Sequence, residues 1–169
     1  MMAMAHKLTD ELLKMILNLS LTIPHTQFIS SSPTAFGENA TISSASALLV
    51  CKRWLRIATP LLYDSVVIRS TGQSHALQDA FHENPAFAMY VKKVCLEGAY
   101  SSMDKVLGCC ENLTTLVVLL HVFSDASVGG FCCALPMIKP KMVILRNEWE
   151  IDNVKIRTVF NLLCKAIPT

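Results

Sequence analysis

The stretch ASALLVCKRWLRIATPLLY, Ala45 to Tyr63, decides how the first part of the chain is read. Apolar residues recur at Ala47, Cys51, Trp54, Ala58 and Leu61, with separations of 4, 3, 4 and 3. That is the spacing of one helical face. Leu48, Leu55 and Leu62 widen the stripe, Val50 and Ile57 extend it on the other side, and Lys52, Arg53 and Arg56 take what is left. A helix apolar round most of its circumference needs cover on more than one side. Pro60 removes a ladder donor and disfavours the helical conformation at Thr59. It suits the first position of a new helix. The spacing therefore predicts two helical pieces meeting at an angle, the second from Pro60 to Tyr63. The β-branched run Val66, Val67, Ile68 follows.

Upstream, Thr9 is placed to cap a helix, with Asp10 and Glu11 at its positive end. Leu12, Leu13, Ile16 and Leu17 form the expected buried face of that helix, and Leu8 precedes the cap. Residues 20–44 lose periodicity and are rich in Ser, Thr, Pro and Gly, which reads as a loop. Downstream, a helix is expected from about Gln73 to His82, with Ala76, Leu77, Ala80 and Phe81 as its apolar face and Asn84-Pro85 ending it.

The segment LLVCKRWLRIATPLLYDSVVI resembles the second half of an F-box, in the form common in mushroom-forming fungi. LTDELLKMIL, Leu8 to Leu17, is similar to its first helix, with Thr9 where the family has proline. The resemblance covers Leu8 to Ile68, and residues 20–44 would be an insertion between its helices. It implies an F-box at residues 5–68. Its adaptor-facing surface would be drawn from Leu8, Leu12, Leu13, Ile16, Leu17, Val50, Cys51 and Leu55. One sequence does not decide which of these turn inward.

Beyond Val91 the chain repeats. Met103, Val106, Leu107 and Cys110 make a helical stripe; Val128, Phe131, Cys132 and Leu135 repeat it 25 residues later; Ile156, Val159, Phe160 and Leu163 repeat it 28 after that. Short β-prone runs precede these helices at Val91 to Leu96, Thr115 to Leu120 and Met142 to Leu145. Ser101 with Asp104 reads as a capping box. Strand-plus-helix units of this period fall in the leucine-rich-repeat range. Leu113, Leu116 and Val118 match the strand part of that signature, without the usual asparagine. Units this short require adjacent parallel strands with right-handed crossovers, strands on one face and helices on the other. Residues 69–169 are therefore expected to form a partial leucine-rich-repeat-like solenoid. The whole chain is α/β (α+β overall), helical first and then β/α. F-box proteins of this fungal type commonly carry such repeats.

The chain has 169 residues, room for one domain or a small module attached to a larger one, and carries 15 Lys and Arg against 13 Asp and Glu, a net charge of +2. Nothing in that balance points to nucleic acid, which is met by a clustered basic face. Seven cysteines, without a CxxC pair or an apolar leader at the N-terminus, suit a reducing interior, cytoplasmic or nuclear. Cys110 and Cys132 lie on repeat stripes, with Cys109, Cys133 and Cys164 as neighbours, and read as small hydrophobes. Neither the cysteines nor the scattered histidines, His75 and His82 included, have the spacing of a metal set. No phosphate loop, nucleophile elbow or HExxH is present.

No cofactor, no metal and no catalysis are expected. The resemblance implies a substrate adaptor that docks on the S-phase kinase-associated adaptor of a cullin–RING ubiquitin ligase. An alternative is a membrane-associated protein using Leu113 to Ile138, a long apolar stretch with Asp125 near its centre, Gly129-Gly130 and Pro136.

Overall fold

The computed structural model describes residues 8–24, 28, 44–119, 128–146 and 154–166. The chain divides into two compact units, Met1–Ser65 and Val66–Thr169.

The first unit is helical. Helix α1, Asp10–Leu21, starts where Thr9 Oγ1 accepts from the Leu12 N–H at 3.4 Å, with Asp10 and Glu11 in the first turn. A 3-10 helix, Ser44–Leu49, leads through Val50 and Cys51 into α2, Lys52–Asp64. The expected break at Pro60 is absent: α2 runs through it. The interruption falls instead at Val50–Cys51, where extended Cys51 becomes the N-cap. Proline sacrifices one donor in the third turn, and the Thr59 hydroxyl takes up the Leu55 carbonyl at 2.7 Å. Packing of the helix on α1 outweighs that loss. Leu13, Leu17 and Ala58 form the buried centre, with Leu21, Leu48, Trp54, Ile57 and Leu61 packed against it. The segment 20–44 read as a loop is trimmed at both ends, since Ser20 and Leu21 continue α1 and Ser44 begins the 3-10 helix, and most of the residues between lie outside the described ones.

The second unit is built on a four-stranded sheet: β1 (Ser65–Ile68), β2 (Lys93–Leu96), β3 (Thr115–Leu119) and β4 (Met142–Arg146), in that order. β2 with β3 and β3 with β4 are parallel, with Lys93 opposite Thr115 and Thr115 opposite Met142. The run Val66 to Ile68 is thus an edge strand of this sheet, tied to its neighbour where the Glu97 N–H donates to the Ile68 carbonyl at 3.0 Å. Helix α3 (Thr71–Glu83) and short α4 (Ala86–Tyr90) lie between β1 and β2 in sequence. Ser70 caps α3, and Asn84 ends it. Helix α5, Met103–Leu107, follows β2; α6, Gly129–Ala134, continues into a 3-10 turn, Leu135–Met137; α7, Val154–Ala166, comes last. α5 packs on α3 and on α6, and α7 packs on the 3-10 turn, so the helices adjoin in chain order as the strands do.

The repeat stripes hold in part. Met103, Val106, Leu107 and Cys110 are buried, as are Phe131, Leu135, Ile156, Val159 and Leu163. Phe160 is exposed. It directly follows Val159, a turn of about 100° round the helix, and falls outside the buried face. On α3, Phe81 is buried but Ala76 faces solvent, and Ser74 takes an interior place instead, with its hydroxyl paired to that of Ser102. The capping box expected at Ser101 is not formed: Ser102 is the N-cap and makes no side-chain cap bond. One carboxylate oxygen of Asp104 is enclosed without a partner.

The expected one-sided sheet differs as well. Thr115, Leu116, Val117 and Val118 are all buried, with no alternation. Parallel strands covered on both faces read this way.

Candidate protein-docking site

Eight residues were singled out as an adaptor-facing surface. The structure splits them. Leu13 and Leu17, at 1% and 2% exposure, are the core of the helical unit. Burying such a side chain stabilises by about 1.5–3 kcal/mol. Leu8, Leu12, Ile16, Val50, Cys51 and Leu55 lie on the surface, Leu12 and Ile16 with about half their area open (49% and 48%).

Helical geometry explains the division. Leu13 and Leu17 are one turn apart and share a face. Leu12 and Ile16 are one turn apart on a different one, about 100° away. Met15 and Leu19, both exposed, belong to that second face. Helix α1 is therefore apolar on two sides, and only one is used inside its own unit. Leu49, the last residue of the 3-10 helix, is also exposed. Met15, Leu19 and Leu49 are additions to the surface that sequence reasoning missed. The spacing Leu12, Met15, Ile16, Leu19 was the available signal.

An ionic clasp fixes the two helices at this end. Arg53 Nε donates to Asp10 Oδ1 at 2.7 Å, Arg56 reaches the other carboxylate oxygen, and an Arg53 guanidinium nitrogen also donates to the Leu8 carbonyl. The first turn of α2 is thereby held to the first turn of α1. Exposed Leu8 and Leu12, just before and within α1, and Val50, Cys51 and Leu55, just before and within α2, consequently lie at the same end of the unit. The Arg53 hydrogen bond, with the charges of Arg53 and Arg56, holds the Asp10 carboxyl below its ordinary range against the opposing effect of desolvation.

No family model matches the chain, and no curated protein or solved structure matches it either.

The arrangement offers apolar contact area rather than reactive groups. Cys51, Cys95, Cys109, Cys110, Cys132 and Cys133 carry free thiols. Burial pushes the Cys95 thiol up to about 11 and that of Cys110 up to about 12, which makes them poor nucleophiles. Among the described residues no three His, Cys, Asp or Glu come together as a metal set. The Trp54 indole N–H is enclosed in the helical unit without an acceptor. Residues Leu113 to Ile138, read alternatively as a membrane segment, supply β3, α6 and the 3-10 turn among those described. No described helix is long and apolar enough to cross a bilayer.

Proposed function

We propose that this protein is a non-catalytic adaptor: its helical unit docks, F-box fashion, on the S-phase kinase-associated adaptor of a cullin–RING ubiquitin ligase, and its α/β unit, read as a degenerate leucine-rich-repeat-like array, presents a target protein. The observation that carries this reading is the second apolar face of α1. Leu12, Met15, Ile16 and Leu19 are exposed there, beside a helix whose other face already fills its core. Large apolar patches on a soluble protein mark interaction sites. Buried apolar anchors of this kind contribute about 2 kcal/mol or more each at interface centres. The resemblance of Leu8 to Ile68 to the F-box names the partner. The sequential order of strands and helices supports the repeat reading of the second unit.

The test is co-purification of the ligase adaptor with a Leu12→Glu/Ile16→Glu variant. Loss of the adaptor with an unchanged melting temperature is the expected result. Retention of the adaptor would refute the reading. Leu13 is unsuited to this test, because a charge there would unfold the unit.

A further inference from the structure

The outer edge of β4 is the second surface whose chemistry specifies a partner. The Met142 N–H donates to the Thr114 carbonyl at 2.9 Å, and Met142 pairs with Thr115. In a parallel ladder, residues bonded to one neighbour alternate with residues turned away from it. Met142, Ile144 and Arg146 thus bond to β3, and the backbone groups of Val143 and Leu145 point outward. β4 is the last strand of the sheet, and no described strand lies beyond it. Between Met142 and Leu145 there is no proline and no charge to discourage pairing. Met142 is exposed and Val143, Ile144 and Leu145 are half-buried, so a further strand has apolar side chains to rest on.

Charge selects among the strands that could be added. Lys139 and Lys141 stand exposed at the start of β4. Lys92 is in register with Thr114 and Lys141 one and two strands in, and Lys93 follows it. Among the described residues in the turns that lead into β2, β3 and β4, the one carboxylate is that of Glu111, before β3. A second copy of this chain paired in parallel would set Lys139, Lys141 and Arg146 against their own kind, and one paired antiparallel about Ile144 would set Arg146 against Met142, so neither pairing matches Lys139 or Lys141 with a carboxylate. Like charges facing across a ladder destabilise it.

We propose that the β4 edge captures an extended segment of another protein by strand addition. The segment has apolar residues at alternate positions and carboxylates at the end that meets Lys139 and Lys141. Main-chain hydrogen bonds to Val143 and Leu145 hold it, and the lysines set its register. This surface belongs to residues 66–169 alone and does not depend on the docking role of Leu12 and Ile16.

The probe is a synthetic peptide with two glutamates followed by alternating valine and threonine, added to the full-length protein. Amide exchange at Val143 and Leu145 should slow by about tenfold or more on binding. Binding should weaken with added salt, and it should weaken again in a Lys139→Glu/Lys141→Glu variant. Val143→Pro removes an outward N–H without touching the β3 ladder, a place where proline is tolerated, and should abolish binding. Should that variant not fold, a peptide N-methylated along its pairing edge makes the same test on the native protein, and it should not bind. Unchanged exchange at Val143 and Leu145, or equal binding by the N-methylated peptide, overturns the proposal. So does protection at these amides without peptide, whether concentration-dependent, which would mean a second copy, or present in a monomer, which would mean an edge already covered.

Discussion

Gly130 lies against the Ser101 carbonyl so closely that a Cβ placed on it would overlap the Ser101 carbonyl oxygen and carbon. The start of α6 thus approaches the loop before α5 backbone to backbone. Gly129, its neighbour, has nothing within 4 Å of such a Cβ. Gly130→Ala should therefore destabilise by about 1–3 kcal/mol through overpacking. Gly129→Ala should be neutral or stabilise by up to about 1 kcal/mol through helix propensity. Chemical denaturation of the two variants checks the pair; equal effects would mean the close approach is not formed.

Leu12 and Leu13 are adjacent in sequence and opposite in role. Leu13→Ala should cost about 2–5 kcal/mol, the range for truncating a core leucine. Leu12→Ala should stay within about 0.5 kcal/mol, as surface changes do. Urea midpoints for the two variants give the comparison directly.

Trp54 encloses an indole N–H with no acceptor. An unsatisfied buried donor costs about 1–3 kcal/mol. Trp54→Phe removes that donor and loses some packing, so the two effects nearly cancel and stability should change by less than about 1 kcal/mol. Trp54→Ala, which loses the packing as well, should cost about 3 kcal/mol. Thermal melts of both variants distinguish the cases.

The buried thiols set an alkaline limit. Cys95 and Cys110 titrate near 11 and 12 when folded, against an ordinary value of 9.0. The unfolded chain therefore releases these protons first. Stability is fully present below about pH 9 and falls as pH rises towards 11 and 12. Cys95→Ala should flatten part of that loss in a denaturation series. In alkylation of the native protein, Cys51, Cys109 and Cys133, which are exposed, should react before Cys95 and Cys110.

Acid titration tests the clasp between α1 and α2. The Asp10 carboxyl, held down by Arg53, should titrate below 3.8 by carboxyl NMR. Arg53→Lys loses the geometry that joins Asp10 and the Leu8 carbonyl. That variant should return the Asp10 titration towards its ordinary value.

The periodic parts of this molecule were legible in the sequence. Strand and helix positions from β2 to β4, the caps at Thr9 and Asn84, and the stripe through Trp54, Ala58 and Leu61 all follow from spacing that local geometry imposes. What escaped depends on distant partners. Pro60 was read as a break because local propensity opposes it, whereas packing on α1 carries the helix through. Ser74 was not legible as a core residue, because only Ser102, 28 residues away, gives its hydroxyl a partner. The Arg53–Asp10 contact spans 43 residues and leaves no local trace. At the candidate docking surface, spacing identified α1 as an apolar helix but put Leu12, Leu13, Ile16 and Leu17 on a single face. Only the position of α2 reveals that Leu13 and Leu17 face inward and that Leu12 and Ile16 do not.

The strict succession of strands also bears on how the chain is made. β3 meets β2 across 22 residues (93 to 115), and β4 meets β3 across 27 (115 to 142). Each new strand finds its site on the strand synthesised just before it. Ribosomes extend a chain at roughly 5–20 residues per second, so one strand has about one to five seconds to seat before the next emerges. Hairpin-scale rearrangements take only microseconds. The α/β unit can therefore assemble in the order of its synthesis, and an interrupted chain would end with fewer strands but no gap in its sheet.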